Sequence, residues 1–147
     1  MSTDNLRTVA ERSAAAMWEG DEASKWMGFE ISSVTEGEAT LEMTVEKHHC
    51  NGHGTCHGGI SFALADSAFA FACNSRNQAT VGQMASITYL APGKLGDRLT
   101  ATAREVSLTG RSGIYDVTVS TQDGVTIAEF RGHSRAIKGT LFEEEKA

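Results

Sequence analysis

The sequence predicts an α+β fold in which an antiparallel sheet of about five to six strands wraps around one long central helix. Two observations carry this. A helical stretch of roughly residues 57–73 is apolar on nearly every side, the pattern of a helix enclosed by protein. The rest of the chain is mostly strand-like runs rich in Thr, Val, Ile and Tyr, separated by short turns, and short turns imply antiparallel neighbours.

The elements follow in order. Residues 4–18 (DNLRTVAERSAAAMW) read as a helix with Asp4 or Asn5 as N-cap, Leu6, Val9, Ser13 and Met17 on one face, and Gly20 as its end. A short helical turn, DEASKWM, runs to Gly28, so residues 1–28 form an N-terminal helical segment. Strand-like runs Phe29–Thr35 and Ala39–Val45 are joined by a tight turn at Glu36-Gly37, and Leu41, Met43 and Val45 alternate with polar residues at the period of a half-buried strand. A Gly-rich loop, 50–56, leads into the apolar helix. Four further runs, Thr80–Leu90, Arg98–Leu108, Gly113–Thr121 and Val125–Lys138, are separated by APGKLGD, TGRS and QDG. Residues 139–147 form a C-terminal tail. With no repeat or linker, residues 1–147 are expected to make one domain.

Composition narrows the function classes. A formal net charge of −6 argues against non-specific nucleic-acid binding. The longest apolar stretch is too short and too interrupted to span a bilayer, so no membrane partner is expected. The N-terminus carries acids and no hydrophobic signal core, and with Cys50, Cys56 and Cys73 as reduced thiols this points to the cytoplasm.

One carboxylate stands out. Asp66 is the only Asp, Glu, Lys or Arg between Asn51 and Ser75, in the middle of the apolar helix. Burial there removes hydration and raises the pKa, which makes Asp66 a candidate general base or nucleophile. The structural alternative is a carboxylate bonded to a neighbouring loop or facing a subunit seam. His57-Gly58-Gly59 falls where that helix begins, and a helix N-terminus presents unpaired N–H groups able to hold a developing oxyanion. A Gly-Gly pair alone is more often a turn. Gly58 and Asp66, eight residues apart, are separated by roughly 12 Å along one helix at about 1.5 Å per residue. A single substrate carbonyl cannot touch both. If both act on it, they come from different subunits, with two such helices antiparallel across a two-fold axis.

The loop HHCNGHGTCH is dense in His and Cys, but its C-x5-C and H-x3-H spacings match neither a paired C-x2-C zinc site nor HExxH. No metal and no cofactor are expected. No acid sits near enough in sequence to orient a Cys–His pair, so the three cysteines read as structural thiols.

The run NGHGTCHGGISFALADSAFAFACNS, with SITYLAPGKLGDRLTATA and IAEFRGHSRAIKGT downstream, resembles the hotdog-fold thioesterases, and within them the phenylacetic acid degradation subgroup, over about residues 5–140. That resemblance implies the hotdog fold, hydrolysis of acyl-CoA thioesters at a dimer interface, and homodimers that often pair into tetramers. It matches Asp66 to the catalytic carboxylate, Gly58 to the amide that holds the thioester oxygen, and Asn51 to a loop amide that positions substrate or water. His57 then bonds the loop backbone or lines the acyl pocket beside Gly59, and Phe69 and Tyr89 are candidates to line an aryl pocket, although an aromatic at such positions is more often core. CoA carries phosphates, so a basic patch is expected, with Arg111 and Arg131 as first candidates and Arg76, Lys94 and Arg135 as further ones, although any single one is more often an ordinary solvated charge. The expected activity is hydrolysis of phenylacetyl- or hydroxyphenylacetyl-CoA to free acid and CoA. An acyl-thioester hydratase or dehydratase and a non-catalytic acyl-CoA-binding protein are the rival readings.

Overall fold

In the computed structural model, which describes residues 7–144, regular structure begins with helix α1 (Val9–Glu19). Its N-cap is Thr8, whose hydroxyl accepts from the Glu11 N–H while the Glu11 carboxylate accepts from the Thr8 N–H. This Thr-x-x-Glu capping box satisfies two orphan donors at once and starts the helix later than expected. Asp4, Asn5 and Leu6 lie outside the described residues. Gly20 closes α1, and Asp21 caps the short helix α2 (Glu22–Trp26) through the Ser24 N–H at 3.0 Å.

Strands β1 (Glu30–Thr35) and β2 (Glu38–Thr44) pair through a turn at Gly37, whose φ of +79° belongs to the left-handed region that glycine enters freely. Helix α3 (Gly58–Cys73) follows, then β3 (Thr80–Tyr89), β4 (Arg98–Thr109), β5 (Ser112–Ser120) and β6 (Thr126–Ala136). All pairings are antiparallel, in the order β1-β2-β4-β5-β6-β3. The connection through α3 therefore carries the chain from β2 to the far edge of the sheet, and the helix lies across its concave face. Boundaries differ from the sequence expectation by one or two residues, except at α1. No helix among the described residues is long and apolar enough to cross a membrane.

Strand alternation places Leu41, Met43, Leu99, Ala101, Val117, Val119 and Phe130 against α3, which answers with Leu64, Ala65, Ala68, Phe69, Phe71 and Ala72. Each large side chain buried this way contributes about 1.5–3 kcal/mol. Beyond α3, Arg76 locks the helix exit to the sheet. Its guanidinium donates to both oxygens of Glu105 (2.6 and 3.0 Å) and to Glu36 (2.9 Å), and Tyr115 donates its hydroxyl to Glu105 at 2.8 Å. These bonds, the Arg76 pair first, hold the Glu105 carboxyl below its ordinary pKa.

Phe69 is only 1 % exposed, packed in an aromatic group with Tyr115 and Phe130. Its ring fits because Gly132 has no side chain, since a Cβ there would fall 2.8 Å from two ring carbons. Gly132→Ala is expected to overpack the core and lower stability by about 1–3 kcal/mol, measured by denaturant unfolding. An unchanged midpoint would mean that the ring moves aside freely.

Candidate active site

The loop before α3 is built around Asn51. Its side-chain oxygen accepts from the His53 N–H (3.0 Å), the Thr55 N–H (3.2 Å) and the Thr55 hydroxyl (3.2 Å), while its amide nitrogen makes no hydrogen bond among the described residues. His49, buried beneath, accepts at Nδ1 from the Glu46 N–H (2.9 Å), which leaves Nε2–H to donate to the Met27 carbonyl (2.7 Å). Among the described residues, Glu46, His48 and His49 are the one group whose ligand atoms converge, but both ring nitrogens of His49 are already engaged. The Cys and His residues of the loop do not gather into a four-ligand cage. Cys56 and Cys73 are buried and Cys50 half-buried. Burial pushes the Cys73 thiol up to about 12 and raises that of Cys56. Neither holds the thiolate a nucleophile needs.

The loop delivers the chain to α3 with its first turn sorted. His57 is the N-cap, and its Nδ1 accepts from the Gly59 N–H at 2.9 Å. The His57 carbonyl takes the Ile60 and Ser61 N–H groups (2.9 and 3.2 Å). Gly58 N–H alone in this turn has no acceptor among the described residues. It lines a cavity of about 370 Å³ with Cys56, Ser61, Tyr89, Leu90 and Ile127. Tyr89 donates its hydroxyl to the Gly58 carbonyl at 2.7 Å.

Asp66 differs from the sequence expectation. It is exposed in the single chain, because α3 is covered by the sheet on one side only. Gly59, Phe62, Ala63, Asp66 and Ala70, at helical spacing of three and four, form the uncovered stripe. Water reaches the side chain, yet the apolar atoms packed around the carboxyl still push its pKa above the usual carboxylate range. Asp66 borders a second cavity, about 300 Å³, with Phe69, Cys73, Gly82, Gln83 and Met84. Phe69 is therefore part of the core that floors this space rather than a free wall of it.

The two cavities share no residue and flank opposite ends of β3. That strand pairs only with β6, so its outer edge is unpaired among the described residues, and Val81, Met84, Tyr89 and Leu90 are exposed along it. An exposed apolar strand edge is a ready template for a second chain. Gly82, Gln83 and Met84 escaped the sequence reading. The signal for them was the mixed apolar and polar run on both faces of Thr80–Leu90, which fits an edge awaiting a partner better than a half-buried strand.

The basic residues separate by their partners. Arg131 forms a two-pronged pair with Asp116 (2.6 and 2.9 Å) on the sheet face turned away from α3, and Arg76 is held by Glu105 and Glu36. Arg111 bonds the Ala136 carbonyl (3.1 and 3.0 Å) without a carboxylate partner. Lys94 and Arg135 are exposed, with no ion pair among the described residues.

Comparison with known proteins places this geometry. The sequence model of the thioesterase superfamily matches residues 53–128, the span that includes the end of the loop, α3 and β3 to β5. The acyl-coenzyme A thioesterase PaaI of Escherichia coli is 45% identical over 135 residues, 92% of this chain and 96% of that protein. The structure of the E. coli PaaI protein, from the phenylacetic acid degradation operon, matches with a TM-score of 0.88 over 90% of this chain and 96% of that chain. A Streptococcus mutans protein solved bound to acetyl-CoA is 29% identical, with a TM-score of 0.73 over 77% of this chain and 90% of that one. By family model, sequence and fold together, the chain belongs to the thioesterase superfamily.

Proposed function

We propose that the protein is an acyl-CoA thioesterase that hydrolyses aryl-acetyl-CoA esters to the free acid and CoA, at a site completed by a second copy of the chain. One observation carries this reading: the unpaired Gly58 N–H and Asp66 open into separate cavities at opposite ends of an unpaired edge strand. Pairing β3 with its symmetry mate in antiparallel fashion brings the Gly58 end of one subunit to the Asp66 end of the other. Such an isologous contact makes two equivalent sites. It also covers the apolar stripe of α3 and completes the desolvation of Asp66. A dimer of such dimers, acting in the cytoplasm, is part of the same proposal.

In the proposed site the thioester carbonyl accepts from the Gly58 N–H at the positive end of α3, where charge developing on oxygen is stabilised. Asp66 of the other subunit activates a water molecule, or attacks directly to form a mixed anhydride that water then hydrolyses. CoA leaves as a thiolate, a good leaving group. The amide nitrogen of Asn51 is free to bond substrate or water, while His57 shapes the helix entry. Of the candidate cations, Lys94, Arg111 and Arg135 stand available to the CoA phosphates, since Arg131 and Arg76 are already ion-paired. The aryl-acetyl preference is supported by the similarity to E. coli PaaI, and the CoA moiety by the acetyl-CoA bound to the S. mutans protein.

The test is thiol release from phenylacetyl-, hydroxyphenylacetyl-, benzoyl-, acetyl- and hexanoyl-CoA by wild type and Asp66→Asn. Turnover of the aryl-acetyl esters is expected, with a loss of about a hundredfold or more in the variant. A wild type that releases no thiol, or that forms an enoyl product instead, sinks the hydrolase reading.

A stability difference is expected to accompany the loss. A carboxyl whose pKa is higher folded than unfolded binds more protons in the folded state, from about pH 4 up to its raised pKa. Stability therefore falls as pH rises through that window, and ionised Asp66 is a net cost at neutral pH. Asp66→Asn should melt higher than wild type at pH 7, with the gap closing as the pH is lowered towards 4. A variant that melts lower at pH 7 would show that the carboxylate is held by favourable bonds.

A further inference from the structure

We propose that Tyr89 is a positioning residue of the oxyanion site: by holding the Gly58 carbonyl, its hydroxyl restrains the backbone torsions of the residue whose N–H meets the substrate oxygen. The inference rests on the thioesterase reading and adds to it a residue that acts through Gly58 rather than on the acyl group.

Glycine at position 58 favours the contact. A Cβ there would fall 3.1 Å from both Cζ and the hydroxyl oxygen of Tyr89, so any side chain would push the phenol ring back by a few tenths of an ångström. The same absence leaves the backbone at Gly58 free to rotate, and an oxyanion donor must point to within a narrow range to be effective. The freedom is removed by bonds to the two peptide groups that meet at this residue. The preceding one is held through the His57 carbonyl, which accepts from Ile60 and Ser61. The following one is held at both ends, with the Gly59 N–H on His57 Nδ1 at 2.9 Å and the Gly58 carbonyl on the Tyr89 hydroxyl at 2.7 Å.

All of these bonds but one arise within the first turn of α3 and its cap. Tyr89 supplies the tie from the sheet. It is the last residue of β3, paired with Ala128 of β6, so the clamp is anchored in a ladder rather than in a loop. Half of its surface is exposed, yet its hydroxyl points back at the helix. The arrangement suits a residue that orients the backbone beneath the reacting carbonyl.

The role separates from that of an aryl-pocket wall by its dependence on substrate. Every thioester presents the same carbonyl oxygen to Gly58, whereas only aryl esters would lean on a wall. Tyr89→Phe keeps the ring and removes the hydroxyl. With acetyl-, hexanoyl- and phenylacetyl-CoA, the variant is expected to lose kcat by a similar factor on all three, about three- to tenfold, with KM unchanged. In the 1H–15N spectrum the Gly58 and Gly59 amide resonances should shift.

Unchanged kcat on all three esters, a loss confined to the phenylacetyl ester, or unmoved glycine amides would each overturn the proposal. Wild type that releases no thiol would instead remove the thioesterase reading. The amide resonances would then decide alone whether Tyr89 orients Gly58.

Discussion

Leu64, Ala65, Ala68, Phe69, Phe71 and Ala72 of α3 lose nearly all contact with water under the sheet, while Phe62, Ala63, Asp66 and Ala70 on the other side of the same helix do not. A helix apolar around its whole circumference needs cover on every side, and within one chain the six-stranded sheet covers one side while α1 and α2 cover part of the rest through Trp18 on Phe71 and Ser24 on Ser67. The uncovered stripe runs beside an edge strand that also lacks a partner and carries exposed apolar side chains. One additional surface, a second copy of the same helix and strand, would satisfy both deficits. In the proposed dimer this contact also assembles the chemistry, so folding, association and catalysis share one constraint.

The proposed site would divide its work between two environments on one helix. At the N-terminus, backbone donors and the macrodipole favour negative charge, and the capping pattern consumes every first-turn N–H except that of Gly58. Two turns further on, apolar neighbours disfavour negative charge and raise the pKa of Asp66. A carboxylate held there is a stronger base than one in water, at some expense of stability. Elsewhere the molecule does the opposite. Glu105 with Arg76, and Asp116 with Arg131, keep carboxyls below their ordinary values and tie strands together. The only acid on α3 has no such partner, a contrast that supports its proposed catalytic role.

Much of this was legible in the sequence because periodicity and turn chemistry are local. The six strands, the central helix and the Gly37 turn follow from residue spacing, and the Gly58–Asp66 separation already required two subunits if both act. What was hidden depended on cross-strand partners. Arg131 looked available to a phosphate, but the register of β5 and β6 places Asp116 beside it. Phe69 floors the cavity beside Asp66 from within the core, and Gly132, far away in sequence, opens the space that buries its ring. The start of α1 was misplaced although the signal was present, since Thr8 and Glu11 form a capping box that outweighs the earlier Asp and Asn. Asp66 was expected to be buried, but in the single chain it is exposed, and only in the proposed dimer does a second subunit cover it.

Complementation between two inactive variants tests the shared site most directly. Asp66→Asn lacks the carboxylate, and Gly58→Val places a side chain against Tyr89 at the oxyanion amide. If each site joins Gly58 of one subunit to Asp66 of the other, a mixed dimer keeps one intact site and one doubly damaged site. Unfolding, mixing in equal amounts and refolding together should then restore roughly a quarter of wild-type thiol release, because about half of the dimers are mixed and each has one working site. Mixed dimers, verified by tagging each variant, that recover no activity above either parent would contradict the account and place both groups of each site within one chain.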